Sequence, residues 1–171
     1  MSTSTAPTNK FGVSSQLILM FVESVRKTLA AVVGWESVIE KARVKTEEGS
    51  EYDYSGIISL SGTYVGTVVV SFHREMAIKM VGAMLQVDIP PESADFCDAI
   101  GEVANMIAGG AKNEFCGRHT AISIPTVVMG KGHIIARPRG VPCIVVPCST
   151  LHGQFSVEVC FKLAREALSG T

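Results

Sequence analysis

The sequence predicts an α+β fold, with a largely antiparallel sheet of about six strands and long helices packed on one face. Segments with helical apolar spacing alternate with β-rich runs, and glycine-containing turns join those runs as antiparallel hairpins. The order of helix, strand and hairpin occurs twice, which indicates an internal pseudo-repeat. Hydrophobic residues make up 47% of the 171 residues, so a packed core is expected.

In the first half of the chain, the spacing of apolar residues predicts a helix at each end, with a strand and a hairpin between them. Ser14 or Ser15 is the expected N-cap of the first helix, and Gly34 is its expected stop. The hairpin turns at Ser61-Gly62-Thr63. In chain order, the elements are a helix over 14–33, a strand followed by a charged turn over 38–48, hairpin strands over 52–62 and 64–72, and a helix over 74–85.

The second half repeats this order, and Gly153 stands where Gly66 stands in the first hairpin. Lys131-Gly132-His133 lacks the rest of a phosphate-loop pattern, so it is interpreted as a turn between strands. The expected elements are a helix over about 93–117, a strand over 121–130, hairpin strands over 141–149 and 154–164 with their turn at 151–153, and a short C-terminal helix.

Charge and composition argue against several classes of function. The formal net charge is -1, with no Lys/Arg-rich run, so neither nucleic acid nor an anionic membrane is an expected partner. The five cysteines are odd in number and lack C-x-x-C spacing, which favours buried thiols in a reducing compartment. The cysteines are Cys97, Cys116, Cys143, Cys148 and Cys160. The histidines, namely His73, His119, His133 and His152, are scattered and are interpreted as ordinary surface or boundary residues, so no metal site is predicted.

The polar N-terminus has no signal-peptide h-region, and no apolar segment is long enough to span a bilayer. We therefore expect a flexible tail over residues 1–12, one domain over 13–171, and a soluble cytoplasmic protein.

The helix over about 93–117 contains Gly101, Gly109 and Gly110, although each interior glycine costs about 1 kcal/mol relative to alanine. At 100° per residue its core face contains Ile100, Val103, Ala104, Ile107, Ala111 and Phe115. The opposite face contains Asp98, Glu102, Asn105, Gly109, Lys112, Asn113 and Cys116. Gly109 on this face would let another molecule approach closely, while Gly101 and Gly110 would serve packing against neighbouring elements.

Glu102 and Asn105 lie one helical turn apart on the polar face. Glutamate can act as a charged anchor or a base, and the amide of asparagine can orient a water molecule. An oriented water is the main requirement of phosphoryl transfer when the phosphoryl group and its Mg²⁺ are held by another protein. Because E-x-x-N is a short motif, a solvated polar face is an alternative interpretation.

The chain resembles the CheC/CheX/FliY family of bacterial chemotaxis phosphatases, and its CheX branch most closely. The resemblance covers nearly the whole chain after the tail, and its most specific part is E-x-x-N within "GEVANMIAGGAK" followed by "PTVVMGKGH". The other matching stretches are "YDYSGIISLSG", "GTVVVSF", "ISIPTVVMGKGH" and "GVPCIVVPCST".

This resemblance implies hydrolysis of the phospho-aspartate of a CheY-type response regulator. Asn105 would position the attacking water, and Glu102 would dock to a regulator lysine. Asp98, Gly109, Lys112 and Asn113 share this helix face and are the candidate partner contacts. Lys112 and Asn113 could instead contact the phosphoryl group, and an ordinary surface lysine is the alternative interpretation of Lys112. Mg²⁺ would belong to the regulator, so the chain would need no cofactor of its own. The resemblance also implies a homodimer, in which an edge strand continues the sheet. In the first helix, neither Glu23-Ser24-Val25-Arg26 nor Ser15-Gln16-Leu17-Ile18 ends in asparagine, so one active face per chain is expected.

Two alternatives remain open at the level of sequence. One is a non-catalytic receiver-binding or scaffold domain that uses the same helix face. The other is a hydrolase of small acyl phosphates. The regulator itself could also belong to a two-component system other than flagellar chemotaxis.

Overall fold

The computed structural model describes residues 15–115, 119–137 and 140–164. The predicted N-terminal tail, the capping side chains of Ser14 and Ser15, the side chain of Phe115, Cys116 and the C-terminal helix lie outside what it describes. The elements in chain order are α1 (Ser15–Val33), β1 (Val38–Ile39), β2 (Arg43–Val44), β3 (Tyr54–Gly62), β4 (Tyr64–Phe72), α2 (Arg74–Leu85), α3 (Ala94–Phe115), β5 (Thr120–Ile122), β6 (Thr126–Met129), β7 (Ile144–Thr150) and β8 (Gly153–Leu163).

The strands form one antiparallel sheet in the order β1-β7-β8-β4-β3-β5, with β2 also paired to β7 and β6 to β3. The described residues thus contain eight strands where the sequence predicts about six, because two predicted strands are interrupted. Residues 38–48 form β1 and β2. Residues 121–130 form β5 and β6, separated around Pro125, which has no N–H to donate to the ladder.

The strand order of the sheet is symmetric. Each strand from the first half of the chain has an equivalent strand from the second half at the same position counted from the opposite end of the sheet. The short strands of the first half flank β7, those of the second half flank β3, and β4 pairs with β8 at the centre. This order is compatible with the predicted pseudo-repeat, which stays a prediction. The two predicted hairpins are confirmed, with Leu60 opposite Gly66 in one and Thr150 opposite Gly153 in the other.

The three helices cover one face of the sheet, as predicted, and the hydrophobic core lies between them. Gly34, at φ 70°, ends α1 as expected, and its N–H donates to the Ala30 carbonyl at 3.1 Å. The largest fully buried side chains of the core include Tyr54, Phe21, Phe72, Phe96 and Phe155. Burial of these aromatic side chains supplies much of the apolar free energy of folding.

The opposite face of the sheet is covered by two loop segments, residues 45–53 and 130–137. The Ser50 N–H donates to the His133 carbonyl at 3.0 Å, and the Gly132 N–H donates to the Ser50 carbonyl at 3.1 Å. Beneath these loops, Lys45 and Glu158 form a buried ion pair at 2.5 Å. Because both faces are covered, polar side chains of the central strands, such as Ser71 and Glu158, are buried on the face opposite the helices.

His133 has a structural role that the sequence interpretation of an ordinary boundary residue missed. Its Nδ1 lies 2.6 Å from the Gly130 carbonyl, which can only accept, so Nδ1 carries a proton. Its Nε2 lies 2.8 Å from the hydroxyl of Ser55, which is itself 2.7 Å from the hydroxyl of Ser71. The predicted turn at 131–133 is confirmed, and it attaches the end of β6 to a buried serine pair on β3 and β4.

Candidate functional site

The candidate site is built on α3, whose orientation is set by its apolar face. Ser93 begins the helix, since its hydroxyl accepts a hydrogen bond from the Phe96 N–H at 3.2 Å. The residues predicted for the core face are buried wherever the structure describes their side chains. They are Ile100, Val103, Ala104, Ile107 and Ala111. With this face fixed, the polar face of the helix must point outwards.

Two of the three glycines in α3 serve close packing, as predicted. A Cβ atom on Gly101 would lie 3.0 Å from Cγ of Pro125, between β5 and β6. A Cβ atom on Gly110 would overlap the hydroxyl oxygen of Ser24 on α1. These glycines therefore let α3 approach the sheet edge on one side and α1 on the other.

Gly109 has no comparable packing role among the residues that the structure describes. A Cβ atom there would lie 3.7 Å from Cδ1 of Ile122, which is an ordinary van der Waals distance. Gly109 is also partly exposed. Its cost in helix propensity is therefore not offset by packing among the described residues. The absence of a side chain at this position instead leaves the outer surface of the helix open.

The six residues predicted to contact a partner form one surface, here called the α3 stripe. It comprises Asp98, Glu102, Asn105, Gly109, Lys112 and Asn113. Asp98, Glu102 and Asn113 are exposed, and the other three residues are partly exposed. Neither the Glu102 carboxylate nor the Asn105 amide has a hydrogen bond or ion pair with any residue that the structure describes. Both groups can therefore bind a molecule that approaches the stripe.

Asn105 and Glu102 lean towards different neighbours. Asn105 is four residues from both Gly101 and Gly109, which face Pro125 and Ile122, so its side chain lies on the side of the β5–β6 connection. Glu102 instead lines a groove between α3 and the segment that follows α2. The site thus has an amide on one side and a carboxylate on the other, one helical turn apart.

The chemistry of the α3 stripe is that of positioning and docking. A neutral amide can hold a water molecule through its oxygen and its NH₂ group, but it is too weak a base to remove a proton fully. One carboxylate and one amide are too few hard ligands for a divalent cation. Across residues 15–115, 119–137 and 140–164, no cluster of three or more histidine, cysteine, aspartate or glutamate residues is arranged to hold a metal ion.

The equivalent part of α1 is built differently. Ser24, within Glu23-Ser24-Val25-Arg26, is buried and donates its hydroxyl hydrogen to the Ile107 carbonyl at 2.7 Å. Val25 is also buried, and Arg26 is exposed at the position where the motif of α3 has asparagine. This helix therefore uses the segment to pack against α3. One active face per chain remains the expectation.

Sequence reasoning missed the apolar surroundings of the α3 stripe. Leu85 and Val87 are exposed beside Asp98 and Glu102 in the groove after α2. Ile124, in the β5–β6 connection, is 86% exposed. The only signal in the sequence is that these apolar residues fall next to prolines and turns.

None of the described helices is long and apolar enough to cross a bilayer.

Comparison with known proteins places this arrangement in a family. The family described as chemotaxis phosphatase CheX matches residues 54–149, which span β3 to β7 and include the whole of α3. The CheY-P phosphatase CheX of Thermotoga maritima is 32% identical over 125 residues, covering 68% of this chain and 77% of that protein.

Solved structures agree with this assignment. The chemotaxis protein CheX of Desulfovibrio desulfuricans has a TM-score of 0.78 and 33% identity, and the match covers 87% of this chain and 99% of that one. A chain of the CheX–CheY–BeF3–Mg2+ complex from Borrelia burgdorferi shares the fold, with a TM-score of 0.70 and 19% identity over 85% of this chain and 97% of that one. The match of the family over more than half of the chain, including α3, shows that this protein belongs to the chemotaxis phosphatase CheX family.

Proposed function

We propose that this protein hydrolyses the phospho-aspartate of a CheY-type response regulator. The observation that carries the proposal is the pair on α3 formed by Glu102, which is exposed, and Asn105, which is partly exposed. Neither side chain has a hydrogen-bond or ion-pair partner among the described residues. The Thermotoga maritima relative, which is 32% identical, is named a CheY-P phosphatase. Membership of the same family supports the same reaction here.

In this proposal, Asn105 positions the attacking water. Its amide enters the regulator's phosphorylation site and hydrogen-bonds one water molecule in line with the bond between phosphorus and the aspartyl oxygen. Attack of that water breaks this bond and releases inorganic phosphate and the free aspartate. Holding the water in place removes the entropic cost of bringing the reactants together, which is a large part of such a barrier. Mg²⁺ bound by the regulator neutralises the charge that develops on the phosphoryl oxygens.

Glu102 docks the helix by pairing with a lysine of the regulator. The rest of the α3 stripe contacts the surface around the phosphorylation site, and Gly109 allows the two backbones to approach closely. Lys112 and Asn113 extend the contact by one to two turns, and Asp98 extends it in the opposite direction.

The test measures how long a phosphorylated CheY-type receiver keeps its phosphoryl group with and without this protein. We expect the wild-type protein to shorten that lifetime and Asn105→Ala to lower kcat by about 100-fold or more, because the water loses its anchor. Asn113→Ala, on the same helix, is the control for the chemical step: its effect should fall on KM, because Asn113 contacts the partner, and its kcat should stay within about twofold of wild type. Glu102→Gln should raise KM, whereas Glu114→Gln on the same helix should not.

Each alternative function has a distinct outcome in this experiment. A scaffold would bind the phosphorylated receiver without shortening its lifetime, and Asn105→Ala would then have no activity to remove. A small-molecule hydrolase would turn over acetyl phosphate in the absence of any receiver. An unchanged receiver lifetime across a panel of phosphorylated receivers would refute the proposal.

We further propose that the protein acts in the cytoplasm as a homodimer. Cys97, Cys143, Cys148 and Cys160 are free thiols, which suits a reducing compartment.

The outer strands of the sheet are β1 and β2 at one end and β5 and β6 at the other. Since β5 and β6 flank the α3 stripe, pairing through β1 would leave the stripe accessible. Light scattering after size-exclusion chromatography tests the dimer. Ile39→Pro, on β1, should favour the monomer, because the Glu40 N–H donates to the Pro147 carbonyl of β7 and the Ile39 N–H therefore faces the free edge.

A further inference from the structure

We propose that the phosphorylated receiver is gripped by two apolar contact points on either side of the α3 stripe, an inference that rests on the proposed function. One contact point is Ile124, in the connection between β5 and β6. The other is the groove wall formed by Leu85 and Val87, at the end of α2. These side chains would determine affinity and the choice of receiver, and they would leave the chemical step to Asn105.

Ile124 is exposed but held in a fixed position. Its neighbour Pro125 packs against Gly101 of α3. On its other side, Ser123 is attached to β3 twice, because the Ser59 N–H donates to the Ser123 hydroxyl at 3.0 Å and the Ser123 N–H donates to the Ser59 carbonyl at 2.9 Å. Ile124 lies between these two attachments and is 86% exposed. It therefore presents an apolar side chain close to the Asn105 side of the helix at little further cost in entropy.

The groove on the Glu102 side is lined by both apolar and acidic residues. Its volume is about 560 Å³. Leu85 is 39% exposed and Val87 is 55% exposed. The apolar lining consists of Met84, Leu85, Val87, Ile89 and Ala99, and the acidic lining consists of Asp95, Asp98 and Glu102. A segment that carries a basic side chain among apolar ones complements this groove in both charge and polarity.

The two contact points suit one occupant better than two. They flank a single helix, so one globular domain that covers the α3 stripe would contact both of them. Apolar contacts at the margins also exclude bulk solvent from the polar pair and its bound water, which strengthens the hydrogen bonds and ion pairs formed there. The receiver domain that presents its phospho-aspartate to Asn105 is therefore the occupant that we assign to this surface.

The test compares Ile124→Ser and Val87→Ser with Leu151→Ser. Leu151 is fully exposed in the β7–β8 turn, so it controls for the loss of an exposed apolar side chain elsewhere. In steady-state hydrolysis of the phosphorylated receiver, we expect Ile124→Ser and Val87→Ser to raise KM by about 10-fold each, which is the loss of one buried apolar contact. Their kcat should stay within about twofold of wild type, and Leu151→Ser should match wild type in both parameters.

A binding measurement separates this inference from the proposed function. The receiver is loaded with beryllium fluoride and Mg²⁺, and its affinity for each variant is measured by calorimetry. If the wild-type protein is active but all three variants bind the loaded receiver as tightly as wild type, the docking surface is wrong and the phosphatase proposal stands. If the wild-type protein is inactive but Ile124→Ser and Val87→Ser still bind about 10-fold more weakly, the docking surface stands and catalysis is refuted.

Discussion

Ser24 of α1 occupies the space that a Cβ atom on Gly110 of α3 would need. The Ser24 hydroxyl donates to the Ile107 carbonyl of α3 at 2.7 Å, so a hydrogen bond joins the two helices at their contact. This contact lies on the flank of α3 opposite Gly101, which packs against Pro125. The α3 stripe lies between these two close contacts, which explains how the helix backbone that carries it is held in position.

The contact between α1 and α3 predicts that Gly110→Ala is destabilising, although alanine favours helices. We expect a loss of about 1–3 kcal/mol in the free energy of unfolding, because the new methyl group overlaps the Ser24 hydroxyl. The double variant Ser24→Ala/Gly110→Ala should recover part of that loss, since the methyl group then has more room. Urea unfolding of both single variants and the double variant measures the coupling between the two sites. Strictly additive losses would show that Ser24 and Gly110 do not share this space.

Gly109→Ala should have opposite effects on stability and activity. The structure leaves room for the methyl group, so the variant should gain about 0.5–1 kcal/mol in the free energy of unfolding. If a receiver approaches the helix closely here, the same methyl group should lower kcat/KM for the phosphorylated receiver by about 10-fold. Thermal unfolding and phosphatase assays on the same preparation test both effects. A variant that is stabilised but fully active would remove Gly109 from the partner-binding surface.

The buried ion pair between Lys45 and Glu158 predicts a large cost when only one partner is removed. Lys45→Met should lower the free energy of unfolding by about 3–5 kcal/mol, because it leaves the Glu158 carboxylate buried without its counter-ion. The double variant Lys45→Met/Glu158→Leu should be far closer to wild type. Arg43→Met is the matched control, since the pair of Arg43 with Glu47 is solvent-exposed and should contribute less than about 1 kcal/mol. Equal losses for Lys45→Met and Arg43→Met would contradict this prediction.

Cys148 predicts a loss of stability at alkaline pH. Burial, together with the nearby Glu40 carboxylate, raises the pKa of the Cys148 thiol from 9.0 to about 12. The unfolded chain loses this proton near pH 9, whereas the folded chain keeps it until about pH 12. The stabilisation is therefore fully present below pH 9 and is lost as the pH rises towards 12.

Comparison with Cys148→Ala isolates this effect from the other groups that titrate at alkaline pH. Between pH 8.5 and pH 10.5, the wild-type protein should lose about 2 kcal/mol more than the variant in the free energy of unfolding. Denaturant unfolding at the two pH values measures the difference. Parallel losses in the two proteins would mean that the thiol ionises equally in the folded and unfolded states.

Much of the fold could be predicted because its signals are local. The helical spacing of α3 fixed which residues would be buried, so Ile100, Val103 and Ile107 are in the core as expected. The glycine-containing turns predicted both hairpins, and the comparisons confirmed the family. The division of residues 121–130 into β5 and β6 was missed, because it depends on how β3 pairs on either side of Pro125.

The sequence by itself determined the α+β class, the amphipathic orientation of α3 and the polar pair of Glu102 with Asn105, because each depends on residues only a few positions apart. Only the tertiary structure decided that Gly101 and Gly110 lie in close contacts, whereas the surface at Gly109 is open. It also decided that Lys45 pairs with Glu158 and that Ile124 is exposed beside the α3 stripe. Those properties depend on which distant segments meet, and periodicity carries no information about the space between elements that are far apart in the chain.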